Sequence, residues 1–241
     1  MKSRRWFALL FGLTFLLAIA PRSASAADWM PLAIGTRWEY RGLGGGSEVQ
    51  SITGERTLHG RLVATRFYDE GLNAGLENYW LLDADGSVLL AGFLRPEGFG
   101  LIYEPPIRYL PVPPVVGPQP AIRVTAHDFL TDAVVSTWDI HFDIVEDVVL
   151  ALPAGPFHAF GVVEMSTPVG PGLASSRAFA LDGRTLASMP PSLAQPQPSD
   201  WFSEGVGVVQ FRFSDLFQLV RVEGPTPVAR SSWSEVKRIY R

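Results

Sequence analysis

The sequence predicts an all-β protein, an antiparallel sandwich or open barrel with a short C-terminal helix. Two observations carry this prediction: after residue 35 the apolar side chains recur mostly with period two, and turn-forming residues interrupt them at short intervals. The composition agrees, because 47% hydrophobic and 18% charged side chains in 241 residues support a large core. Disordered, collagen-like and low-complexity classes are thereby excluded.

The N-terminus is typical of a secretory signal peptide covering residues 1–26. Basic side chains precede an apolar run, Trp6–Ala20, and Ala24-Ser25-Ala26 provides the small residues of a cleavage site before Ala27. The run is shorter than the roughly 20 residues that a membrane-spanning helix needs. We therefore expect an exported protein, periplasmic or extracellular, without a transmembrane segment.

Cysteine content and charge narrow the function classes. The chain has no cysteine, so a disulfide framework, a cysteine-ligated zinc site, a thiol nucleophile and a lipid-modified cysteine are excluded. Removal of residues 1–26 takes four of the 20 basic residues and leaves 16 against 24 acidic ones, a net charge of −8. An acidic protein lacks the positive surface that nucleic acids and anionic membranes require, so neither is an expected partner.

The clearest strand lies between residues 137 and 144. Trp138, Ile140, Phe142 and Ile144 alternate there with polar residues, which predicts one apolar and one polar face. We expect Trp138, at the head of this alternation, to lie in the core. Turn chemistry then predicts hairpins at three places and a flexible turn after the first strand: His59-Gly60, Asp83–Gly86, Leu152–Gly155 and the glycine-rich residues 42–46.

Two proline-rich stretches, 104–120 and 190–198, interrupt the alternation. Proline cannot donate to a strand ladder, so neither stretch is predicted to be a central strand. The first could separate two domains. We favour a single domain over residues 27–224, because a short N-terminal block would expose its sheet edges.

Residues 225–241 are predicted to form a linker and a C-terminal helix. Ser232 and Glu235 have the spacing of a capping box. Trp233, Val236 and Tyr240 would then share one face of the helix. A helix this short is marginal in water, so we expect it to dock on its own domain or on a partner.

No motif assigns a catalytic residue, a metal or a cofactor. The serine-hydrolase motif G-x-S-x-G and the zinc-protease motif H-E-x-x-H do not occur, and the glycine run lacks the lysine of a phosphate loop. The chain has four histidines, each a possible general base, but they stand in separate segments: His59, His127, His141 and His158.

Two acidic groups could hold a metal. Asp139, His141 and Asp143 share a strand face, but such alternation is also what a solvated face shows, and we favour that interpretation. Asp83 and Asp85 resemble the start of a calcium loop, yet position twelve is Leu94 and not glutamate, which favours a plain turn. We therefore expect no metal site and no cofactor.

Tryptophan is the candidate binding residue. An indole ring can stack on the apolar face of a sugar, provided that the ring is exposed. Of the mature chain's tryptophans we expect only Trp201, after a proline-rich loop and next to Asp200, to be exposed. Trp201 is thus the predicted binding residue.

Three segments resemble motifs of a family of uncharacterised secreted bacterial domains, the TapB-like domains. Residues 31–40, PLAIGTRWEY, are similar to its P-L-x-x-G-x-x-W-x-Y opening, residues 153–157 to its P-A-G-x-F turn, and residues 205–209 to its G-V-G-x-V strand. The resemblance implies an antiparallel β fold in the cell envelope and transfers no activity.

The sequence favours a non-catalytic, exported β domain that binds an apolar ligand or an envelope partner. An apolar ligand would sit between the sheets or inside an open barrel. One alternative is an envelope hydrolase acting on glycans, with its acid pair drawn from residues such as Glu146, Asp147 and Glu204. The other is a structural or assembly module that docks through its C-terminal helix.

Overall fold

The computed structural model describes residues 29–169, 181–184, 198–212 and 215–224, and these form one closed antiparallel barrel of twelve strands. Each strand pairs with the next one along the chain, and the last pairs with the first. The strands are β1 Arg37–Gly42, β2 Ser47–Leu58, β3 Arg61–Glu70, β4 Glu77–Leu82, β5 Val88–Leu94, β6 Gly100–Leu110, β7 Ile122–Asp128, β8 Val134–Leu152, β9 Gly155–Pro168, β10 Asp200–Ser203, β11 Gly207–Arg212 and β12 Leu216–Glu223.

The antiparallel all-β prediction is confirmed, but the sheet is a closed barrel and neither a sandwich nor an open barrel. Closure comes from the pairing of β1 with β12, which runs from Arg37 opposite Glu223 to Gly42 opposite Phe217. Two buried aromatic side chains of β1 also form hydrogen bonds beyond β12, to the start of β11. The Trp38 indole donates to the Val206 carbonyl at 2.7 Å, and the Tyr40 hydroxyl donates to the Val208 carbonyl at 2.8 Å.

The predicted hairpin turns are confirmed. His59 and Gly60 form the two-residue turn between β2 and β3 and have positive φ angles of 44° and 76°, as a type I′ turn requires. Asp83 and Asp85 lie in the β4–β5 turn, where their carboxylates accept hydrogen bonds from the backbone N–H groups of Ala84 and Ser87. This is the plain turn that the sequence favoured.

The proline-rich stretch after residue 104 lies partly within strand β6, contrary to the prediction that it could not form a central strand. β6 pairs with β5 along most of its length, but with β7 only over Leu101–Glu104. Consecutive strand residues direct their N–H groups to opposite edges, so one of Pro105 and Pro106 lacks a donor on the β7 side, where the ladder ends at Glu104. The strands before and after this stretch belong to the same barrel.

The interior of the barrel holds the main hydrophobic core. Ile140, Phe142 and Ile144 on β8 are at most 1% exposed, which agrees with the predicted apolar face. Trp138 differs from its prediction: it is only partly buried and packs against the core, and its indole donates to the Ser136 hydroxyl at 2.7 Å. Its ring lies at the margin because β8 begins at Val134, close to the end of the barrel wall.

A second hydrophobic cluster lies on the outer surface of the barrel. Tyr79 of β4 belongs to it, whereas the next residue, Trp80, belongs to the inner core, so the two clusters occupy opposite faces of the sheet. Leu58 and Val63 belong to the outer cluster as well. The end of the β2–β3 hairpin therefore folds over the outside of β4, β5 and β6.

Several predicted segments lie outside the described residues. They are the signal peptide, most of the second proline-rich stretch and the C-terminal helix. The described part of the chain contains no helix, and so none that is long and apolar enough to cross a membrane.

Two variants of one strand test the burial pattern of β8. We expect Phe142→Ala to lower the free energy of unfolding by about 3–5 kcal/mol, because it leaves a cavity in the core. Trp138→Ala should cost less, about 1–2 kcal/mol, since part of its surface is already in water. Urea unfolding monitored by circular dichroism measures both. An equal or larger loss for Trp138→Ala would contradict the described packing.

Candidate functional site

The candidate site is a groove in the outer wall of the barrel, at the point where β6 separates from β7. Its volume is about 630 Å³. The residues that line it come from β3 to β6, from the β4–β5 turn, from the connection between β6 and β7, and from β7 and β8, where Ile140 and Phe142 also belong to the barrel core. The lining residues are Arg61, Leu81, Asp83, Leu89, Pro105, Pro106, Arg108, Pro111, Gln119, Pro120, Ile122, Ile140, His141 and Phe142.

The groove has an apolar floor and a few polar groups at its margin. Nine of its fourteen lining residues are apolar, four of them prolines. The two arginines are already paired with carboxylates: Arg108 with Asp83 at 3.3 Å, and Arg61 with Glu104 at 3.1 Å. The groove therefore offers an apolar surface with hydrogen-bonding groups but no strong net charge.

Backbone contacts keep the groove open. The connection between β6 and β7 is held on β8, where Gly117 and Ile144 exchange backbone hydrogen bonds of 2.8 and 3.2 Å. The Gln119 backbone N–H also donates to the Asp143 carboxylate at 3.0 Å. Because this connection pairs with β8 and not with β6, a gap remains in the barrel wall between β6 and β8.

His141 brings a buried polar atom to the groove. Its Nδ1 has no solvent exposure and no hydrogen-bond partner among the described residues. Its Nε2 lies 3.5 Å from the Asp143 carboxylate. Burying an unpaired ring nitrogen is unfavourable, so this atom is a candidate partner for a ligand or water that enters the groove.

A buried charged cluster lies inside the barrel, beside the hydrophobic core. Residues 181–184 bring Arg184 into the barrel, where its guanidinium donates to both carboxylate oxygens of Asp200 at 2.9 Å and also to Asp182. The Tyr109 hydroxyl donates to Asp200 at 2.6 Å. Only about 10 Å³ of free space remains beside this cluster, roughly the room for one water molecule.

Burial and neighbouring charges shift the pKa values of three side chains in this cluster. Burial by itself would lower the pKa of Arg184, but the carboxylates of Asp182 and Asp200 outweigh it and hold that pKa well above its ordinary value. Burial raises the pKa of Asp182, against the opposing effect of Arg184. Burial and the neighbouring carboxylates raise the pKa of Tyr109 well above its ordinary value, so its hydroxyl keeps its proton.

A second buried polar group adjoins the first. The Arg66 guanidinium donates to the side-chain oxygen of Gln50 and lies 5.0 Å from the centre of the Trp38 ring. The Glu48 carboxylate accepts a hydrogen bond from Asn73 at 2.9 Å. Burial raises the pKa of Glu48, although its hydrogen bonds to Asn73 and Gln50 oppose the shift.

The predicted exposure of Trp201 is wrong. The side chain is 4% exposed, and its indole donates to Glu146 at 2.9 Å. Trp201 lies on β10, between β9 and β11, and packs with the core. A sugar-binding role for Trp201 remains a prediction, and it would require this ring to leave its buried position.

The other candidate residues from the sequence analysis each contact a different partner and do not form a common site. Asp139 forms a bidentate ion pair with Arg123 at 2.9 and 3.0 Å, so it is not directed at His141 and Asp143 as a metal ligand. Of the acidic residues suggested for a hydrolase, Glu146 accepts a hydrogen bond from Trp201, Asp147 pairs with His158, and Glu204 is exposed in the turn between β10 and β11.

One group of side chains was missed by sequence reasoning. His59 comes from the β2–β3 turn, and His127 and Asp132 come from the end of β7 and the β7–β8 turn, yet their potential ligand atoms all lie within 4.8 Å of one another. Only the folding of the β2–β3 hairpin over the outer surface brings His59 to the other two. No local pattern in the sequence indicates what the tip of that hairpin would meet.

Comparison with known proteins gives no family. No protein-family model matches the chain. No curated protein matches it. The crystal structure of a putative lipoprotein from Parabacteroides distasonis is similar at 11% identity, over 82% of this chain and 99% of that chain, with a TM-score of 0.36. Similarity of this degree supports no conclusion about function, and the resemblance to TapB-like domains stays a prediction.

The buried charge cluster gives a prediction with a matched surface control. Arg184→Met leaves two buried carboxylates without their cation, and we expect a loss of about 3–5 kcal/mol in the free energy of unfolding at neutral pH. Arg123→Met removes the exposed bidentate pair with Asp139, and we expect a much smaller loss, because solvent screens this pair. Equal losses in urea unfolding would show that Arg184 is not compensated inside the barrel as described.

The shifted pKa of Glu48 gives a pH prediction. Because burial raises its pKa in the folded state, folding favours the protonated form, and this stabilisation is lost as the pH rises from the ordinary value of 4.5 through the raised pKa. Glu48→Gln cannot ionise, so the stability of this variant relative to the unmodified protein should increase over that pH range. Urea unfolding of both proteins at successive pH values measures this trend, and a constant difference in stability would contradict it.

Proposed function

We propose that this protein is a non-catalytic, exported barrel domain that binds a small apolar molecule in the groove beside β6. The observation that carries the proposal is the groove itself, an apolar recess of about 630 Å³ in the barrel wall. Ligand sites of proteins have volumes of roughly 300–1,000 Å³ and are mainly apolar with a few polar groups, a description that the groove fits.

The rigidity of the groove supports binding. Its four prolines have fixed φ angles, and the connection that forms one side is hydrogen bonded to β8. A preformed recess loses little conformational entropy when a ligand enters, so more of the apolar burial appears as affinity. The ligand that fits best has an apolar body along the proline and leucine floor and one polar atom near His141 or Arg108.

The proposed ligand binds in the barrel wall, whereas the sequence analysis expected it between the sheets or inside an open barrel. A ligand inside the barrel would have to displace Arg184 and its carboxylates, whereas the groove is reached from outside. Export to the envelope, which the N-terminal residues predict, is part of the proposal. It would give the protein access to apolar molecules released from membranes.

The hydrolase alternative gains no support from the groove. Glycoside hydrolysis needs two carboxyl groups facing the bond to be cleaved. Among the residues that line the groove only Asp83 is acidic, and it is paired with Arg108. The assembly alternative depended on the C-terminal helix, which lies outside the described residues, and it remains a prediction.

Binding of the neutral apolar dye N-phenyl-1-naphthylamine tests the proposal, since its fluorescence rises in an apolar site. We expect saturable binding with one dye per chain. Leu89→Arg, which puts a charge on the groove floor, should weaken binding at least tenfold, a change of about 1.4 kcal/mol. Palmitate should compete with the dye if acyl chains are accepted.

Val149→Arg is the matched control, because Val149 is 71% exposed on β8 and does not line the groove. It should bind the dye as the unmodified protein does. Absence of saturable binding, or equal weakening in both variants, would contradict the proposed site.

A further inference from the structure

Two histidines and an aspartate converge on the outer surface, next to the groove but outside its lining. His59 Nε2 lies 2.8 Å from one Asp132 carboxylate oxygen, and His127 Nδ1 lies 3.4 Å from the same oxygen. The two imidazole rings meet edge to face, with their centres 5.1 Å apart. This is the one group of three or more potential metal-ligating side chains found within the described ranges.

The fold holds the hairpin tip above the β7–β8 turn by apolar contacts. Phe129, which follows β7, stacks on Tyr79 with ring centres 5.3 Å apart. The guanidinium of Arg56, near the end of β2, lies 5.3 Å from the Tyr79 ring centre and 5.2 Å from that of Phe129. With Leu58 and Val63 packed in the same outer cluster, His59 is brought over β7 by the fold itself.

A carboxylate stands behind His59, on the side away from Asp132. His59 Nδ1 lies 3.6 Å from Glu104 Oε2, and Glu104 is held in turn by Arg61. Metal-bound histidines in proteins commonly have their other ring nitrogen directed at a carboxylate, which fixes the tautomer and strengthens the ligand. In the metal-free protein His59 Nε2 lies 2.8 Å from the Asp132 carboxylate and His127 Nδ1 lies 3.1 Å from the Asp132 backbone carbonyl, and both acceptors require a proton on the nitrogen. A bound ion would replace these two protons, and His59 would then carry its proton on Nδ1, facing Glu104.

The backbone at two of the three residues adopts an unusual conformation. His59 and Asp132 have positive φ angles of 44° and 60°, and they are the only described residues other than glycine that do. Side chains other than glycine rarely adopt this region, although asparagine, aspartate and histidine do so more readily than most. Both turns thus place a ligating side chain at a position defined by the backbone.

We propose that His59, His127 and Asp132 bind a divalent transition metal ion of the zinc type. The ligands would be His59 Nε2, His127 Nδ1 and the Asp132 carboxylate, with a water molecule as the fourth ligand. Zinc bonds of 2.0–2.2 Å in a tetrahedron place neighbouring ligand atoms roughly 3.3–3.5 Å apart. The distances of 2.8 and 3.4 Å are within a small side-chain adjustment of that arrangement.

The donor set selects the class of ion. Imidazole nitrogens suit zinc, copper, nickel and iron, whereas calcium and magnesium prefer oxygen ligands alone. The Asp132 side chain is 69% exposed, so an ion could reach the site and keep a bound water. This proposal departs from the expectation of no metal site, which considered each histidine within its own segment of sequence.

Zinc titration of untagged protein tests the proposal. We expect isothermal calorimetry with zinc chloride to show one ion per chain. The melting temperature should rise by roughly 5 °C or more when free zinc exceeds its dissociation constant 100-fold, because the ion binds the folded state. Magnesium chloride at the same concentration should produce no shift.

Three variants locate the site without disturbing the turns. His59→Asn and Asp132→Asn keep residues that tolerate a positive φ angle, and His127→Gln keeps a polar side chain of similar length. Each should weaken zinc binding at least tenfold while circular dichroism shows an unchanged barrel. His158→Gln is the control, since His158 pairs with Asp147 elsewhere on the surface.

Two results would overturn the proposal. One is the absence of stoichiometric zinc binding by the unmodified protein. The other is equal affinity in the three variants and the control, which would place the ion elsewhere. Binding of N-phenyl-1-naphthylamine in the zinc-free protein is measured in parallel, so failure of the metal site and failure of the groove are distinguishable.

Discussion

The ion pair between Arg184 and Asp200 is the interaction on which the interior of the barrel depends. Twelve strands enclose more space than their own side chains fill, since barrel width grows with strand number. Here residues 181–184 enter that space, and the side chains of Arg184 and Asp200 are only 4% and 3% exposed. Isolated charges would not remain there, because desolvation costs several kcal/mol for each ion. The contacts from Arg184 Nη2 to both Asp200 oxygens, together with the hydrogen bond from Tyr109, make their burial possible.

The filled interior determines where a ligand can bind. The remaining space beside Arg184 is close to the size of one water molecule, so an apolar ligand needs a recess in the wall. Pro105 and Pro106 create it, because they end the pairing of β6 with β7 while β6 stays paired with β5. The local chemistry of two prolines thus decides the position of this recess in the barrel wall.

Local chemistry was predictable from the sequence, and long-range register was not. His59-Gly60 and Asp83–Gly86 define their turns by themselves, and the alternation around Phe142 defines a strand face. The burial of Gln50 and Arg66 was not predictable, because polar residues are expected on the surface. Both lie inside the barrel and form a hydrogen bond with each other. The burial of Trp201 was not predictable either, since its proline-rich neighbourhood suggests exposure while its place between β9 and β11 buries it. The convergence of His59 with His127 depends on a hairpin folding over three other strands, and no local pattern records this.

The two proposed sites share a pair of side chains, and this links them physically. Arg61 lines the groove and pairs with Glu104, and the other oxygen of the Glu104 carboxylate faces His59. A cation bound by His59 would make its Nδ1–H a stronger donor and draw the Glu104 carboxylate towards it. Arg61 would then lose part of its partner and become more available to a polar group in the groove. In the proposed metal-bound state, the charge at the hairpin tip would therefore alter the electrostatics of the recess beside it.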